Sequence, residues 1–303
     1  MPLARTSRVE KENATYQSAA VFPLLLLLAV ALVQRNRLPA WALMWFLAFS
    51  IFMGFKWLTW WKVRGQVPRT PWRSIAYLFA WPGMDAESFL STKKPDHTPR
   101  ATEWLWAIFE TALGAILFWE VARRVPTDLP LLRGWIGMLG LILLLHFGSF
   151  QLLALFWQSV GIGATPIMRA PLRSQSLGEF WGKRWNLGFR QLSHELIFRP
   201  TCKRLGAGGA GFLVFVVSGL LHDLVISVPA RGGYGLPTLY FALQGAGVAA
   251  EHSRLGKRMG LGTGVRGWLF MAVITAAPAF WLFHPPFVHN VILPFMKAIG
   301  AVR

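Results

Sequence analysis

Two short stretches of this 303-residue chain hold residue types able to do chemistry. The first, SLGEFWGKRWN from Ser176 to Asn186, is basic, aromatic and interrupted by glycine. Its Lys183 and Arg184, with Arg190 farther on, suit phosphate groups, and Trp181 and Trp185 add apolar contact area. Asn186 sets a neutral amide between Trp185 and Leu187. The second stretch, SGLLHD from Ser218 to Asp223, puts an imidazole, His222, and a carboxylate inside an apolar run. An ionisable group within a bilayer costs roughly 2.5–3.5 kcal/mol on insertion scales, so a chain that keeps one there has a use for it.

Three uses compete for His222. It could be a packing histidine bonded to a neighbouring helix. It could belong to a proton or ion path with Asp223, Glu110 and His146, as in a transporter. As a general base it would take the proton of a hydroxyl while that oxygen attacks an acyl carbon, a role worth roughly 10²–10⁴ in rate. Ser218, one turn earlier, shares its face and can hydrogen-bond it. Asp223 lies about 100° further round the helix and cannot orient the ring. An orienting partner is therefore expected from another helix, among Glu110, His146, Gln151, Gln244 and Glu251.

The elements that must position these groups follow from spacing. Ser176 with Glu179 three residues on is a capping box and starts a helix, which Pro200 limits. Leu177, Trp181, Trp185, Leu192 and Leu196 fall on one side, and Glu179, Lys183, Asn186 and Arg190 on another. The spacing predicts an amphipathic helix at the membrane surface with a break near Gly188. The plain alternative is an interfacial anchor without chemistry.

Composition sets the surroundings. The chain is 54% apolar with 16 tryptophans and a mean hydropathy of +0.43, above the roughly 45–50% apolar content of soluble domains. Seven spans are predicted: Ala19–Val33, Pro39–Trp61, Ala101–Ala122, Gly134–Gly161, Ala207–Val228, Gly235–His252 and Arg266–Phe283. The segment WRSIAYLFAW is too short to span and is expected to lie in the interface, and the end of the second span reads as an aromatic belt with snorkelling lysines. The tail from His284 is expected to lie along the surface.

The fold class is thus all-α, a polytopic membrane helical bundle of about seven spans with interfacial or re-entrant helices, and a single domain over 1–303. The net charge of +18 is spread in short runs between apolar segments, which argues against nucleic acid as a partner. With the boundary residue Arg266 counted in its loop, alternate connecting segments carry twenty-two Lys/Arg against eight. By the positive-inside rule the amino terminus and the stretch around Asn186 face the cytoplasm. Lone Cys202 allows no internal disulfide. Gly206, Gly208 and Gly211 match a dinucleotide fingerprint but lead into a membrane helix, so they read as close packing. His284 and His289 flank no metal-ligand cluster, and no metal or cofactor is expected.

The string SLGEFWGKRWN, followed by SGLLHD in an apolar helix, resembles the membrane-bound O-acyltransferase (MBOAT) family, within it the wax-synthase-like branch, with the signature over 172–251. The resemblance implies that Asn186 is the family's functional asparagine and His222 its catalytic histidine. It implies transfer of a fatty acyl group from acyl-CoA, a co-substrate, to a hydroxyl acceptor, a long-chain alcohol among them. Lys183, Arg184 and Arg190 would then meet the donor's phosphates, beside Trp181, Trp185 and Ser218. Asp223 stands where the family usually has glutamate, a change expected to affect packing. The expected setting is a bacterial inner membrane or endoplasmic reticulum, with membrane lipids as neighbours. The rival is a transporter or lipid-binding protein that uses the polar groups as a path.

Overall fold

The computed structural model describes residues 22–30, 32–67, 70–93 and 97–303. It is an all-α membrane helical bundle. Among the described residues, five helices are long and apolar enough to cross a bilayer: α2 (Ala40–Val63), α5 (Ala101–Arg124), α6 (Pro130–Ser159), α8 (Leu187–Ala230) and α11 (Gly264–Leu282). Between α2 and α5 lie α3 (Pro71–Ala80) and α4 (Ala86–Leu90). The predicted first span begins outside the described residues and continues as the apolar helix α1 (Phe22–Asn36). The predicted sixth is α9 (Leu236–His252), whose 17 residues reach only about 26 Å against a core of about 30 Å. It is an inner helix, burying Tyr240, Phe241, Gln244 and Glu251. Gly245 lets it approach α8 closely, since a Cβ there would sit 2.8 Å from the Phe212 ring.

The fifth span is longer than expected. Pro200 does not end it, because a wide π turn at His194–Phe198 precedes the proline and makes room for its ring. The interruption falls at Gly206, whose φ of 67° and ψ of 172° kink the helix.

The tail is also placed differently. α12 (285–298) is packed into the main core, with Val288, Val291, Ile292 and Met296 buried beside Phe118, Met138 and Phe241. Gly137 on α6 admits it, because a Cβ there would collide with the Met296 thioether at 2.4 Å.

α3 behaves as an interfacial helix should. It turns Ala76 and Tyr77 inward and leaves Trp72, Ile75 and Phe79 more than half exposed on one side. Beneath it, Lys56 of α2 does not snorkel. It is fully buried, donates to the Gly83 carbonyl at 2.7 Å and lies 3.1 Å from the centre of the Tyr77 ring, while Lys62 pairs with Glu195. Lys56→Met would leave that carbonyl unpaired, a cost of roughly 1–3 kcal/mol. A lowered unfolding midpoint in detergent is expected, and an unchanged one would deny the contact any role.

Asp223 fastens the turn between α8 and α9. Its Oδ1 accepts from the Ser227 hydroxyl at 2.8 Å and the Gly235 N–H at 2.9 Å. Its Oδ2 accepts from the Thr238 N–H at 3.1 Å and from the Thr238 hydroxyl. His284, fully buried, takes the Phe287 N–H on Nδ1 and so donates from Nε2 to Ser227 Oγ at 3.2 Å. Hydrogen bonds to a charged group contribute roughly 1.5–3 kcal/mol each. Asp223→Ala should therefore lower the unfolding midpoint clearly and more than Ser227→Ala does. A reversed order, measured by thermal unfolding in one detergent, would contradict the staple.

Candidate functional site

The basic stretch begins with the helix α7 (177–184). Ser176 Oγ accepts the Glu179 N–H at 2.9 Å, as the capping box requires. The reciprocal bond closes one residue earlier than predicted, from the Gln175 N–H to Glu179 Oε2 at 2.8 Å. A second carboxylate arrives from α9: Glu251, nearly buried, accepts the Leu177 N–H at 2.6 Å and the Gly178 N–H at 3.4 Å. Negative charge is favourable at this end of a helix.

Arg184 is committed within the protein. Its Nε donates to Glu179 Oε1 at 2.7 Å, and its Nη1 reaches the Arg169 carbonyl at 3.2 Å. The Gln175 N–H and then the Arg184 guanidinium hold the Glu179 carboxyl below the usual carboxylate range. Of the three cations predicted to meet phosphates, Lys183 and Arg190 are exposed.

The predicted continuous amphipathic helix is replaced by two helices at a sharp junction. The last residues of α7, Phe180–Arg184, form a π turn, and Trp185 is extended. Asn186 then takes the left-handed conformation, φ 43° and ψ 60°. Asparagine is one of the few residues that tolerate it. Its Oδ1 accepts the Phe189 N–H at 3.3 Å, which makes Asn186 the N-cap of α8. The break is therefore at Trp185–Asn186 and not at Gly188, which is helical and packs against Met84. Main-chain bonds from Arg169 N to the Arg184 carbonyl and from Leu187 N to the Ile167 carbonyl, both 2.9 Å, tie the junction to the preceding loop. The Asn186 N–H points at Met168 Sδ, 3.3 Å away.

His222 lies on α8, half-buried. Its Nδ1 is 2.7 Å from the Ser218 carbonyl oxygen. A carbonyl only accepts, so Nδ1 carries the proton and Nε2 of the neutral ring presents a lone pair. The orienting group is thus on its own helix. Among the described residues no hydrogen bond joins the ring to Glu110, His146, Gln151, Gln244 or Glu251. The exposed His252 makes the same bond to Val248 at 2.8 Å, so the bond alone marks helical histidine geometry. What sets His222 apart is its wall. Its ring centre lies 4.4 Å from that of Phe241, which is 5.6 Å from Trp181. Trp181 is 6.4 Å from Trp185, the residue before Asn186.

One aromatic wall therefore runs from the imidazole to the junction that holds Asn186. Gln244, with no exposure, fixes its middle by accepting from Trp181 Nε1 at 3.3 Å and donating to the Ile274 carbonyl at 2.7 Å. Sequence reasoning had Gln244 and Glu251 among five candidate partners for His222. They serve the basic stretch instead. Phe241 was missed, and its only signal was an aromatic residue within a short apolar helix. An aromatic wall with a basic nitrogen at one end and an amide near the other offers apolar surface to an acyl chain and a proton acceptor to a hydroxyl.

Comparison with known proteins agrees with this chemistry. The model of the "Membrane bound O-acyl transferase family" matches residues 164–243, which contain both Asn186 and His222. The probable long-chain-alcohol O-fatty-acyltransferase 7 of Arabidopsis thaliana is 29% identical over 147 residues, 43% of this chain and 42% of that protein. The long-chain-alcohol O-fatty-acyltransferase of Simmondsia chinensis is 27% identical over 145 residues, 44% and 41% of the two chains. The acyl-CoA–sterol O-acyltransferase 1 of Arabidopsis thaliana is 32% identical over 73 residues, 22% and 21%. The match spans less than half the length of each of these three relatives.

Proposed function

We propose, from the premise that residues 164–243 make this chain a member of the membrane-bound O-acyltransferase family in its wax-synthase-like branch, that it transfers a fatty acyl group from acyl-CoA to a long-chain alcohol. The observation that carries the reading is the aromatic wall that runs from His222 through Phe241 and Trp181 to the junction at Asn186, with Nδ1 bonded to the Ser218 carbonyl so that Nε2 is left to accept a proton.

In this mechanism Nε2 of His222 removes the proton of the acceptor hydroxyl as its oxygen adds to the thioester carbon. The resulting tetrahedral oxyanion collapses, the C–S bond breaks, and the proton on His222 passes to the departing thiolate. The products are an ester and the free thiol of coenzyme A. Trp181, Trp185 and Phe241 line the path of the acyl chain. Asn186 stabilises developing negative charge or positions the thioester. Exposed Lys183 and Arg190 receive the donor's phosphates, while Arg184 holds the helix that carries Lys183. The charge asymmetry of the loops supports a cytoplasmic position for this end, where coenzyme-activated substrates are found.

The relatives named for long-chain alcohols support an alcohol as acceptor over a sterol. The test is release of free thiol from a long-chain acyl-CoA by membranes containing the protein, with and without hexadecanol, together with detection of the ester. Alcohol-dependent thiol release is expected. Its absence with every alcohol and sterol offered, in membranes where the protein is inserted, would remove the reading.

A further inference from the structure

A second constellation lies at the other end of the bundle. α8 carries Asn186 at its start and closes at Ala230, so Arg231 lies at the far end of the helix from Asn186 and nine residues, about 14 Å along it, beyond His222. There a cavity of about 320 Å³ opens between the end of α1, the start of α2, the end of α8 and α12, and Arg35, Arg231 and Asn290 line it with Leu38, Pro39 and Leu43. Its volume falls within the roughly 300–1,000 Å³ of ligand sites.

Its polar wall is built for an anion. Arg35 and Arg231 are both exposed and, among the described residues, neither has a carboxylate partner, unlike Arg184 with Glu179 at 2.7 Å or Arg124 with Glu120 at 3.5 Å. Arg231 is held just past the helix end in the left-handed conformation, φ 53°. The Asn290 amide is fixed by donating to the Ala230 carbonyl at 2.9 Å, which leaves its second N–H available. This is also the charge-poor end, with eight Lys/Arg against twenty-two, and two of the eight meet here. Guanidinium groups match phosphate oxygens in geometry and charge.

The opposite wall is apolar, and it continues along α1, where Leu25, Leu26, Leu32 and Val33 are exposed. A soluble anion has no use for such a surface, whereas a diacyl lipid has. We propose that this cavity binds a phospholipid of net negative charge. Its phosphate lies between Arg35 and Arg231, and its glycerol and first methylenes lie against Leu38, Pro39 and Leu43, with an acyl chain along α1. The site takes no part in acyl transfer and ties α1 to α8 and α12.

Native mass spectrometry of the full chain, delipidated and then offered equimolar phosphatidylglycerol and phosphatidylcholine, tests this. The wild type should retain one phosphatidylglycerol in about tenfold preference, as expected of two charge-assisted contacts. The double variant Arg35→Gln, Arg231→Asn should lose the preference; asparagine tolerates the left-handed conformation at 231. Equal retention of the two lipids by the wild type, or an unchanged preference in the double variant, overturns the proposal. Inorganic phosphate that raises the unfolding midpoint as much as phosphatidylglycerol does would assign the cavity to a soluble anion and also overturn it. If the double variant is not recovered folded, Arg35→Gln alone leaves the backbone at 231 untouched and removes one of the two charges, and a preference identical to wild type in that variant decides against the site.

Discussion

His222→Ala is expected to reduce acyl transfer by roughly 10²–10⁴, the range of a general base, while the protein still inserts and purifies as wild type. The size follows from what the ring does. In the tautomer fixed by the Ser218 carbonyl, Nε2 is the atom placed to take a proton. Without it the hydroxyl must attack while still protonated, and a water held in the cavity left by the ring is a far weaker base. The loss should fall on kcat, because the ring makes its new bond only in the transition state and contributes little to holding acyl-CoA. The measurement is thiol release at saturating acyl-CoA. His252→Ala is the matched control: it removes a histidine with the same i−4 carbonyl bond, 2.8 Å, from an exposed position. It should retain most of the activity. Equal losses in the two variants would mean that removing a helical histidine, and not removing a base, is what matters.

How far the sequence revealed this arrangement differs from residue to residue. The turning away of Asp223 from His222 follows from helical periodicity alone, and the four acceptor contacts of Asp223 bear it out. The spans α2, α5, α6 and α11 were legible because hydrophobic length is a property of a single segment. What was not legible depends on partners far away in the chain. Nothing near Glu251 announces that it caps a helix 74 residues earlier. Nothing in the tail announces that Gly137 leaves room for Met296. Lys56 reads as a snorkelling lysine until Gly83 and Tyr77 are seen to enclose it. The break at Asn186 was hidden for another reason. Its spacing fits a helical polar face, and only the backbone angle of 43° distinguishes a cap from a face residue.

That angle changes what an Asn186 substitution means. Asn186→Ala would remove the cap, which costs roughly 0.5–2 kcal/mol. It would also force a Cβ-bearing residue without a polar side chain into the left-handed region, roughly 1–2 kcal/mol more. An inactive alanine variant therefore cannot separate chemistry from a misplaced junction. Two other variants can. Asn186→Gly accepts the φ of 43° without strain and lacks both the cap bond to Phe189 and the amide donor. Asn186→Asp keeps the cap and is tolerated in the left-handed region, but it replaces the amide N–H₂ donor by a carboxylate oxygen. If the amide donates to the developing oxyanion, Asn186→Asp should unfold within a few degrees of wild type yet lose roughly 10²–10³ in kcat, the cost of removing one such donor. Asn186→Gly should lose a similar factor with a modestly lower midpoint. The informative contrary result is an aspartate variant with near wild-type turnover, measured by thiol release beside its melting curve. Asn186 would then be a cap that shapes the junction, and stabilisation of the oxyanion would belong to another donor on the wall between Trp185 and His222.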